Sequence, residues 1–159
     1  MIRKSFRTRV SILLLMVLVI PFGFILFDII RSGRLWTPEF FIFFVAVLVM
    51  IVYVSISRYV ISGRYLLFKL GSITCISVNI LKMQSIERSY DLFGSLSYAA
   101  VGSYKKLKIN LPKGYDWPYF LISPGREQEF LDTLKEINPN LNICVNDKKG
   151  WYRIWDWDI

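Results

Sequence analysis

Residues 120 to 140, FLISPGREQEFLDTLKEINPN, decide the fold of the C-terminal part of this chain. The stretch begins like a buried strand and turns at Ser123, a favourable N-cap, and Pro124, which suits the first helical position because its missing N–H needs no partner there. Four apolar residues follow at helical spacing: Phe130, Leu131, Leu134 and Ile137. Asn138 ends the pattern, since the residue before a proline avoids the α region. We therefore predict an amphipathic helix that buries one face against a sheet.

The residues before this helix alternate with a period of two, as strands do. RYVIS and RYLLFKLG are predicted strands on either side of a turn at Ser62-Gly63, and ITCISV follows a second turn at Gly71-Ser72. A short connector leads to a strand around Ser85 to Ser89. A loop rich in small residues is expected from Tyr90 to Ser103.

The clearest strand is YKKLKINL, whose side chains divide between two faces. The apolar face consists of Leu107, Ile109 and Leu111. The polar face consists of Lys106, Lys108 and Asn110. WPYFLI is the returning strand, and Pro118 predicts an edge position or the first residues of pairing. No helix-length crossover separates these strands, so the sheet should be largely antiparallel. The predicted fold class is α+β, a curved antiparallel sheet or partly open barrel capped by one C-terminal helix.

Two uncharged runs of 18 residues, Val10 to Phe27 and Phe40 to Ser57, precede these strands. At about 1.5 Å per residue each run spans about 27 Å, close to the thickness of a bilayer hydrocarbon core. We predict two transmembrane helices, at about 10–30 and 38–57. The first run exceeds the apolar region of a signal peptide and lacks a cleavage site, which favours an uncleaved signal anchor.

Basic residues flank the two runs and give the orientation: Arg3, Lys4, Arg7 and Arg9 before them, and Arg58, Arg64 and Lys69 after them. The positive-inside rule then places both termini in the cytoplasm, with a short hairpin outside. The net charge of +8 is concentrated beside the membrane. It indicates topology and attraction to anionic lipid, and no nucleic-acid partner is expected.

Three stretches in the order SIERS, LSYAAVGSYKKLKI and FLISPGREQEFLDTLKEINPNL resemble the bacterial PH-like (pleckstrin-homology-like) domain family found in small two-span membrane proteins. The similarity covers roughly Tyr59 to Ile143, and its closing motif is Ile122-Ser123-Pro124, Phe130, Leu134, Asn138 and Pro139. One departure is Arg126, where the family often carries an acidic residue that would complete a capping box. The resemblance implies a PH-like sheet-and-helix fold and no enzyme activity. The predicted domains are a membrane hairpin (1–57), a PH-like domain (58–145) and a Trp-rich tail (146–159).

The sequence lacks the residues of common catalytic and metal sites. It contains no histidine, no metal-ligand cysteine spacing and no glycine-rich phosphate loop. The acidic residues of the helix form its solvated face. We therefore expect no enzyme activity, no metal and no cofactor. Cys75 and Cys144 are interpreted as small buried hydrophobic residues.

Nine residues are candidate contacts with the membrane surface or a partner: Arg58, Arg64, Lys69, Lys105, Lys106, Lys108, Trp151, Trp155 and Trp157. The basic ones could face the inner leaflet, although an ordinary solvated strand edge would look the same. The tryptophans could pack on the domain as an extra strand, anchor at the membrane interface or bind a partner.

The leading hypothesis is a membrane-anchored PH-like binding or scaffold module. Its expected partners are the lipid bilayer, in which it is integral, an anionic lipid surface and an unknown protein. The alternative is an immunity or envelope-protection protein that acts against a bacteriocin or other membrane insult. A pore or transporter accessory is disfavoured, because neither of the two 18-residue runs contains a charged residue.

Overall fold

The structure of the chain is a computed structural model that describes residues 3–10, 12–32, 38–90, 103 and 105–146. Its elements follow one another along the chain as β1 (Arg3–Arg7), α1 (Ile12–Ser32), α2 (Pro38–Ile56), β2 (Ser57–Ser62), β3 (Tyr65–Leu70), β4 (Ile73–Asn79), a short 3-10 helix (Ile80–Lys82), β5 (Ser85–Ser89), β6 (Lys106–Asn110), β7 (Tyr119–Ile122), α3 (Glu127–Ile137) and β8 (Asn142–Cys144).

The strands form two four-stranded sheets. Sheet 1 has the order β1-β2-β3-β4, and sheet 2 has the order β7-β6-β5-β8. Neighbouring strands pair antiparallel except β5 and β8, which are parallel because α3 returns the chain to the same end of sheet 2 before β8 begins. The predicted α+β class and the largely antiparallel pairing are confirmed, as is the edge position of β7 after Pro118.

Strand β1 was not expected from the sequence. Arg3–Arg7 had been placed in the membrane hairpin as the basic flank of the first apolar run, yet it pairs with β2 along its full length. Phe6 points into the core and is fully buried, while Arg3, Ser5 and Arg7 are exposed. β1 has five residues and a single apolar side chain, so its alternation is too short to predict a strand. Its basic residues instead match the flank of a membrane span. The segment that contains α1 and α2 is therefore inserted between the first two strands of sheet 1.

One hydrophobic core joins both sheets and α3. Phe130 and Leu134 of the helix are fully buried, and the ring of Phe130 meets that of Phe6 edge to face with centroids 5.2 Å apart. Tyr59 and Ile109, from sheets 1 and 2, belong to the same cluster. The predicted apolar stripe of α3 is confirmed, with Leu131 buried and Ile137 partly buried at its margin.

Helix α3 ends where predicted but begins later. The backbone N–H of Asn138 donates to the carbonyl of Leu134 at 2.9 Å, which closes the last turn before Pro139. The prediction of Ser123 as N-cap is wrong, because the N-cap is Arg126, whose side chain makes no capping hydrogen bond. The chain stays extended after β7, and Pro124 forms a bridge with Thr8, so these residues extend the sheet contact instead of starting the helix.

The two cysteines are exposed, so their interpretation as buried hydrophobic residues is wrong. The pairing of β3 with β4 shifts register between Phe68 and Lys69, and Cys75 is the residue left without a partner between Ile76 and Thr74. Such a bulge interrupts the strict alternation of a strand, so apolar neighbours in the sequence do not place Cys75 in the core. Cys144 ends β8, a strand of three residues.

Helices α1 and α2 coincide closely with the two predicted transmembrane segments and have 21 and 19 residues. Within the part of the chain that the structure describes, no helix combines the length and the apolar character needed to cross a membrane. Most of the loop predicted at 90–103 lies outside the described residues. All three tryptophans of the tail also lie outside them. The predicted domain boundaries remain predictions.

Candidate functional site

Charge is unevenly divided between sheet 1 and α3. Residues 3–10 and 57–79, which contain all four strands of sheet 1, hold seven basic residues and no acidic residue. The basic residues are Arg3, Lys4, Arg7, Arg9, Arg58, Arg64 and Lys69. Helix α3 instead carries Glu127, Glu129, Asp132 and Glu136. Sheet 1 is consequently the positive side of the domain.

Three of these cations form a row across sheet 1, which we call the basic ladder: Arg7, Arg58 and Lys69. Arg7 is the register partner of Arg58 in the β1–β2 pair, and Arg58 is the partner of Lys69 in the β2–β3 pair. Directly opposite residues project from the same face of a sheet, and like charges in such positions are destabilising. The ladder therefore carries a repulsion that a bound anion would relieve.

A cavity of about 390 Å³, which we call the arginine cavity, lies at one end of the ladder. Its lining consists of Ser5, Arg7, Arg58, Gly125 and Arg126. Arg126 is held in place by three contacts: Nη2 donates to the carbonyl of Ser5 at 3.0 Å, Nη1 lies 2.8 Å from an oxygen of Glu129, and the guanidinium carbon lies 5.3 Å from the ring centre of Phe6.

Backbone hydrogen bonds fix the segment before α3 against the end of β1. The N–H of Gly125 donates to the carbonyl of Arg7 at 2.8 Å, and the N–H of Arg9 donates to the carbonyl of Ser123 at 2.7 Å. A Cβ atom at Gly125 would lie 3.3 Å from the Arg7 carbonyl oxygen, so the absence of a side chain permits this close approach. These contacts bring Arg126 to the two arginines of sheet 1.

The neighbouring cations have carboxylate or hydroxyl partners on α3. Glu127 receives a two-pronged ion pair from Arg88 and lies 3.6 Å from Arg9. Lys4 donates to the hydroxyl of Thr133 at 3.1 Å and lies 3.8 Å from Glu129.

The two arginines of the ladder differ from these cations. Among the residues that the structure describes, the guanidinium groups of Arg7 and Arg58 make no hydrogen bond and no ion pair, and both residues are exposed. The charges of Arg7 and Arg58 thus remain available to an anion that reaches this face of sheet 1.

The structure separates the candidate residues that the sequence had grouped. Arg58 and Lys69 meet in the basic ladder, but Lys105, Lys106 and Lys108 lie in or beside β6, in sheet 2. Lys106 is only 4% exposed, so it does not belong to a basic surface. Lys108 is partly buried, with its ammonium 4.6 Å from the ring centre of Tyr119.

The remaining candidates lie elsewhere. Arg64 is exposed in the turn between β2 and β3, at the end of sheet 1 opposite to Arg58. Trp151, Trp155 and Trp157 lie outside the described residues, so their proposed contacts stay predictions.

Sequence reasoning missed Arg7 and Arg126 as site residues. Arg7 was interpreted only as part of the basic flank, and Arg126 only as a departure from a capping box. The alternation of Arg3, Ser5 and Arg7 around Phe6 was the available signal for β1. No local pattern identifies Arg126, because it reaches sheet 1 through tertiary contacts.

A larger cavity, of about 720 Å³, lies between α3 and β8. Charges of both signs line it, including Glu127, Asp132, Arg88 and Lys135. Arg88 and Glu127 already bind each other there, and the ammonium of Lys135 donates to the carbonyl of Leu141 at 2.8 Å. The arginine cavity is lined by a single sign of charge and is the stronger candidate site.

Tyr59, which follows Arg58 in β2, is a fully buried ionisable residue. Burial raises the pKa of Tyr59 to about 12, and hydrogen bonds with Ser123 and Thr8 oppose that rise only in part. The backbone N–H of Ser123 donates to the Tyr59 hydroxyl at 3.2 Å. The neutral phenol thus ties β2 to the segment that carries Arg126. Among the described residues, no group of three or more histidine, cysteine, aspartate or glutamate side chains could hold a metal ion.

Comparison with known proteins identifies one family. The family model described as bacterial PH domain matches residues 57–138, from the start of β2 to the end of α3. No curated protein and no solved structure matches the chain. The match confirms the resemblance inferred from the closing motif around α3, while β1 and the hairpin precede the matched range.

Proposed function

Because the chain belongs to the bacterial PH domain family, we propose that it is a non-enzymatic binding module anchored in a bacterial inner membrane, with its domain on the cytoplasmic side. PH-like domains generally bind lipids or proteins. The domain then has two kinds of partner, the anionic membrane surface and a protein. No nucleic acid and no cofactor are involved.

The observation that carries the proposal is the position of the hairpin relative to the basic ladder. α1 begins five residues after Arg7, and α2 ends two residues before Arg58. Because β1 and β2 are antiparallel, both helices leave sheet 1 from the same end. That end carries the ladder, so a membrane entered by the helices would meet the positive edge of the domain.

The proposed membrane spans rest on the complete sequence. The two uncharged runs of 18 residues match the thickness of a bilayer core. Exposed apolar side chains on both helices support this, for example Phe24 and Ile42, each 71% exposed. An apolar surface of that extent calls for a lipid or protein cover.

Binding to the leaflet would be electrostatic. A basic residue near an anionic surface contributes about 1 kcal/mol, and the attraction decays within a Debye length, about 8 Å at physiological salt. The ladder lies within a few residues of both helices, whereas Arg64 lies at the far end of sheet 1. The ladder is therefore expected to supply most of the attraction, and Arg64 little.

The two exposed native cysteines provide the test. In spheroplasts that express the full chain, a membrane-impermeant maleimide should label Cys75 and Cys144 only after the membrane is permeabilised. A cysteine introduced between the helices, in Gly33→Cys on a Cys75→Ser, Cys144→Ser background, should react without permeabilisation. Labelling of Cys75 in intact spheroplasts would overturn the orientation. Nothing in the described residues favours the alternative role in immunity or envelope protection.

A further inference from the structure

We propose that residues 155–159, which we call the tail strand, bind along the edge of β4 that faces away from β3 and extend sheet 1 by one strand. They belong to the segment that follows Asn146, the last residue that the structure describes. The docking concerns the folded domain alone, so it does not depend on the orientation of that domain in the membrane.

The edge of β4 is suited to receive a strand. β4 is the last strand of sheet 1, and β3 is its neighbour in that sheet. Along an edge strand, alternate backbone N–H and C=O groups point away from the sheet, and charged residues or prolines usually protect them from further pairing. The sequence of β4, ITCISVN, contains neither a charged residue nor a proline. Beyond the bulge at Cys75, residues 76–79 keep a regular register with β3 and offer a regular template for pairing.

Exposed apolar side chains of the domain gather along this edge. Outside α1 and α2, the exposed large hydrophobic residues among those that the structure describes are Tyr65, Ile73, Leu81 and Trp117. Ile73 begins β4, and Leu81 lies two residues beyond its end. Tyr65 is the register partner of Asn79, the last residue of β4. An exposed apolar patch on a folded domain commonly marks a surface that another segment covers.

A cavity with a largely apolar lining, which we call the β4 groove, opens beside these residues. Its volume is about 230 Å³, and it lies between β4 and the start of β7. Its apolar lining consists of Ile76, Val78, Leu111, Tyr115, Trp117 and Phe120. Val78, Leu111 and Phe120 belong to the hydrophobic core, so the core reaches the surface in this groove. An apolar side chain that entered the groove would extend the core.

The tail strand has the alternation that this edge requires. Its sequence, WDWDI, alternates apolar and acidic residues with a period of two, the pattern of a strand with two different faces. With its tryptophans turned to the groove, the tail strand projects Asp156 and Asp158 from the opposite face. The reverse phase would bring these aspartates to Asp116, which also lines the groove, and like charges repel each other.

The face to which the aspartates then point is the positive face of sheet 1. Ser77 of β4 is the register partner of Leu67, and Lys69, two residues after Leu67, stands on the same face. The basic ladder, to which Lys69 belongs, lies on that face, and the strands of sheet 1 contain no acidic residue. Charge complementarity of this kind fixes the register of a contact and suppresses wrong partners.

The chain is long enough for this contact. Eight residues lie between Asn146 and Trp155 and span up to about 28 Å when extended. The radius of gyration of a domain of about 100 residues is about 13 Å. The tail strand can therefore reach β4 from the end of β8, and the covalent link raises its effective concentration at the edge.

Disulfide cross-linking of the full chain in mild detergent tests the contact. On a Cys75→Ser, Cys144→Ser background, Ser77→Cys is combined with Asp156→Cys or Asp158→Cys, so that two registers of the tail strand are tested. Residues opposite each other on paired strands have Cβ atoms about 4.5–5.5 Å apart, close to the range that a disulfide needs. Copper phenanthroline and oxygen are the oxidants. The internal disulfide is quantified by intact mass after free thiols are blocked with a maleimide.

Ser5→Cys, combined with the same tail substitutions, is the matched control, because Ser5 is exposed in β1 at the opposite edge of sheet 1. One of the Ser77→Cys pairs should form its disulfide at least about tenfold faster than either Ser5→Cys pair, since docking raises the local thiol concentration. Equal rates at the two edges would overturn the docking. A disulfide between two chains, in place of the internal one, would also overturn it and leave the edge to the tail of a second copy.

The tryptophans of the tail provide a second readout. In the faster of the two Ser77→Cys pairs, Trp157→Ser should slow disulfide formation about tenfold, because a side chain that fills the groove is lost. Trp151→Ser is the matched control, since Trp151 precedes the alternating residues. It should change the rate less than about twofold, as expected for a residue outside the contact. Equal slowing by the two substitutions would overturn the role of the groove.

Discussion

Replacement of Phe6 by alanine tests whether the strand before the helical hairpin belongs to the domain. Phe6 is fully buried, and its ring packs edge to face on Phe130 of α3. If residues 3–7 were only the basic flank of a membrane span, Phe6 would lie at the membrane interface and its removal would have little effect. The structure instead makes it a link between sheet 1 and α3.

The expected loss can be worked out from the burial. Truncation of a buried phenylalanine to alanine lowers the free energy of unfolding by about 3–5 kcal/mol. About 0.5–1.5 kcal/mol of that arises from the aromatic pair. A domain of this size has a total stability of about 5–15 kcal/mol. Phe6→Ala should therefore remove a large part of the stability, and Phe6→Leu, which retains more of the volume, should remove less.

The measurement is the urea-induced unfolding of the full chain in mild detergent, followed by circular dichroism at strand wavelengths. Phe27→Ala, at a residue of α1 that is 64% exposed, is the matched control and should change the free energy of unfolding by less than about 0.5 kcal/mol. A double-mutant cycle with Phe130→Ala should return the coupling of the aromatic pair. Equal effects of Phe6→Ala and Phe27→Ala would refute the assignment of β1 to the core.

Three further outcomes follow from the structure. The phenol of Tyr59 has a pKa of about 12 in the folded chain and about 10 in the unfolded chain. Because the unfolded state therefore loses the proton first, the free energy of unfolding should fall between pH 10 and 12. In thermal unfolding experiments, Tyr59→Phe should lack this part of the loss. Glu127→Gln places a neutral amide opposite Arg88, whose side chain is only 5% exposed. Because a buried charge is then left without its partner, the free energy of unfolding measured in urea titrations should fall by about 3 kcal/mol. No change would contradict the ion pair. Cys75 in the bulge should react with a maleimide in the folded, detergent-solubilised chain as fast as in urea, and a strong protection would contradict its exposure.

Much of the domain could be predicted from local patterns. β2, β3, β4, β5, β6 and β7 appear where alternation and turn residues predict them, and α3 ends at Asn138 because of the following proline. The start of α3 could not be predicted in this way. Ser123 and Pro124 have ordinary capping chemistry, but their backbone is held beside Arg9 and Thr8, so the first helical turn begins only after Arg126.

The candidate site was predicted only in part. Arg58 and Lys69 were expected near the membrane because of their sequence position beside an apolar run. Lys106 was expected on a solvated face but is buried, since alternation gives the face of a strand and not what covers that face. Arg7 and Arg126 became visible as site residues only when the strands and the segment before α3 were in place.

The sequence by itself determined the elements that depend on neighbours along the chain: two uncharged runs, most of the strands, and an amphipathic helix closed by Asn138 and Pro139. Tertiary structure alone decided that β1 joins sheet 1 across the inserted hairpin, and that Arg7, Arg58 and Arg126 surround one cavity. The reason is that hydrophobic periodicity reports which face of an element is buried. It does not report which distant strands pair. Their register, and the cavity that the pairing creates, are set by the packing of all core residues together.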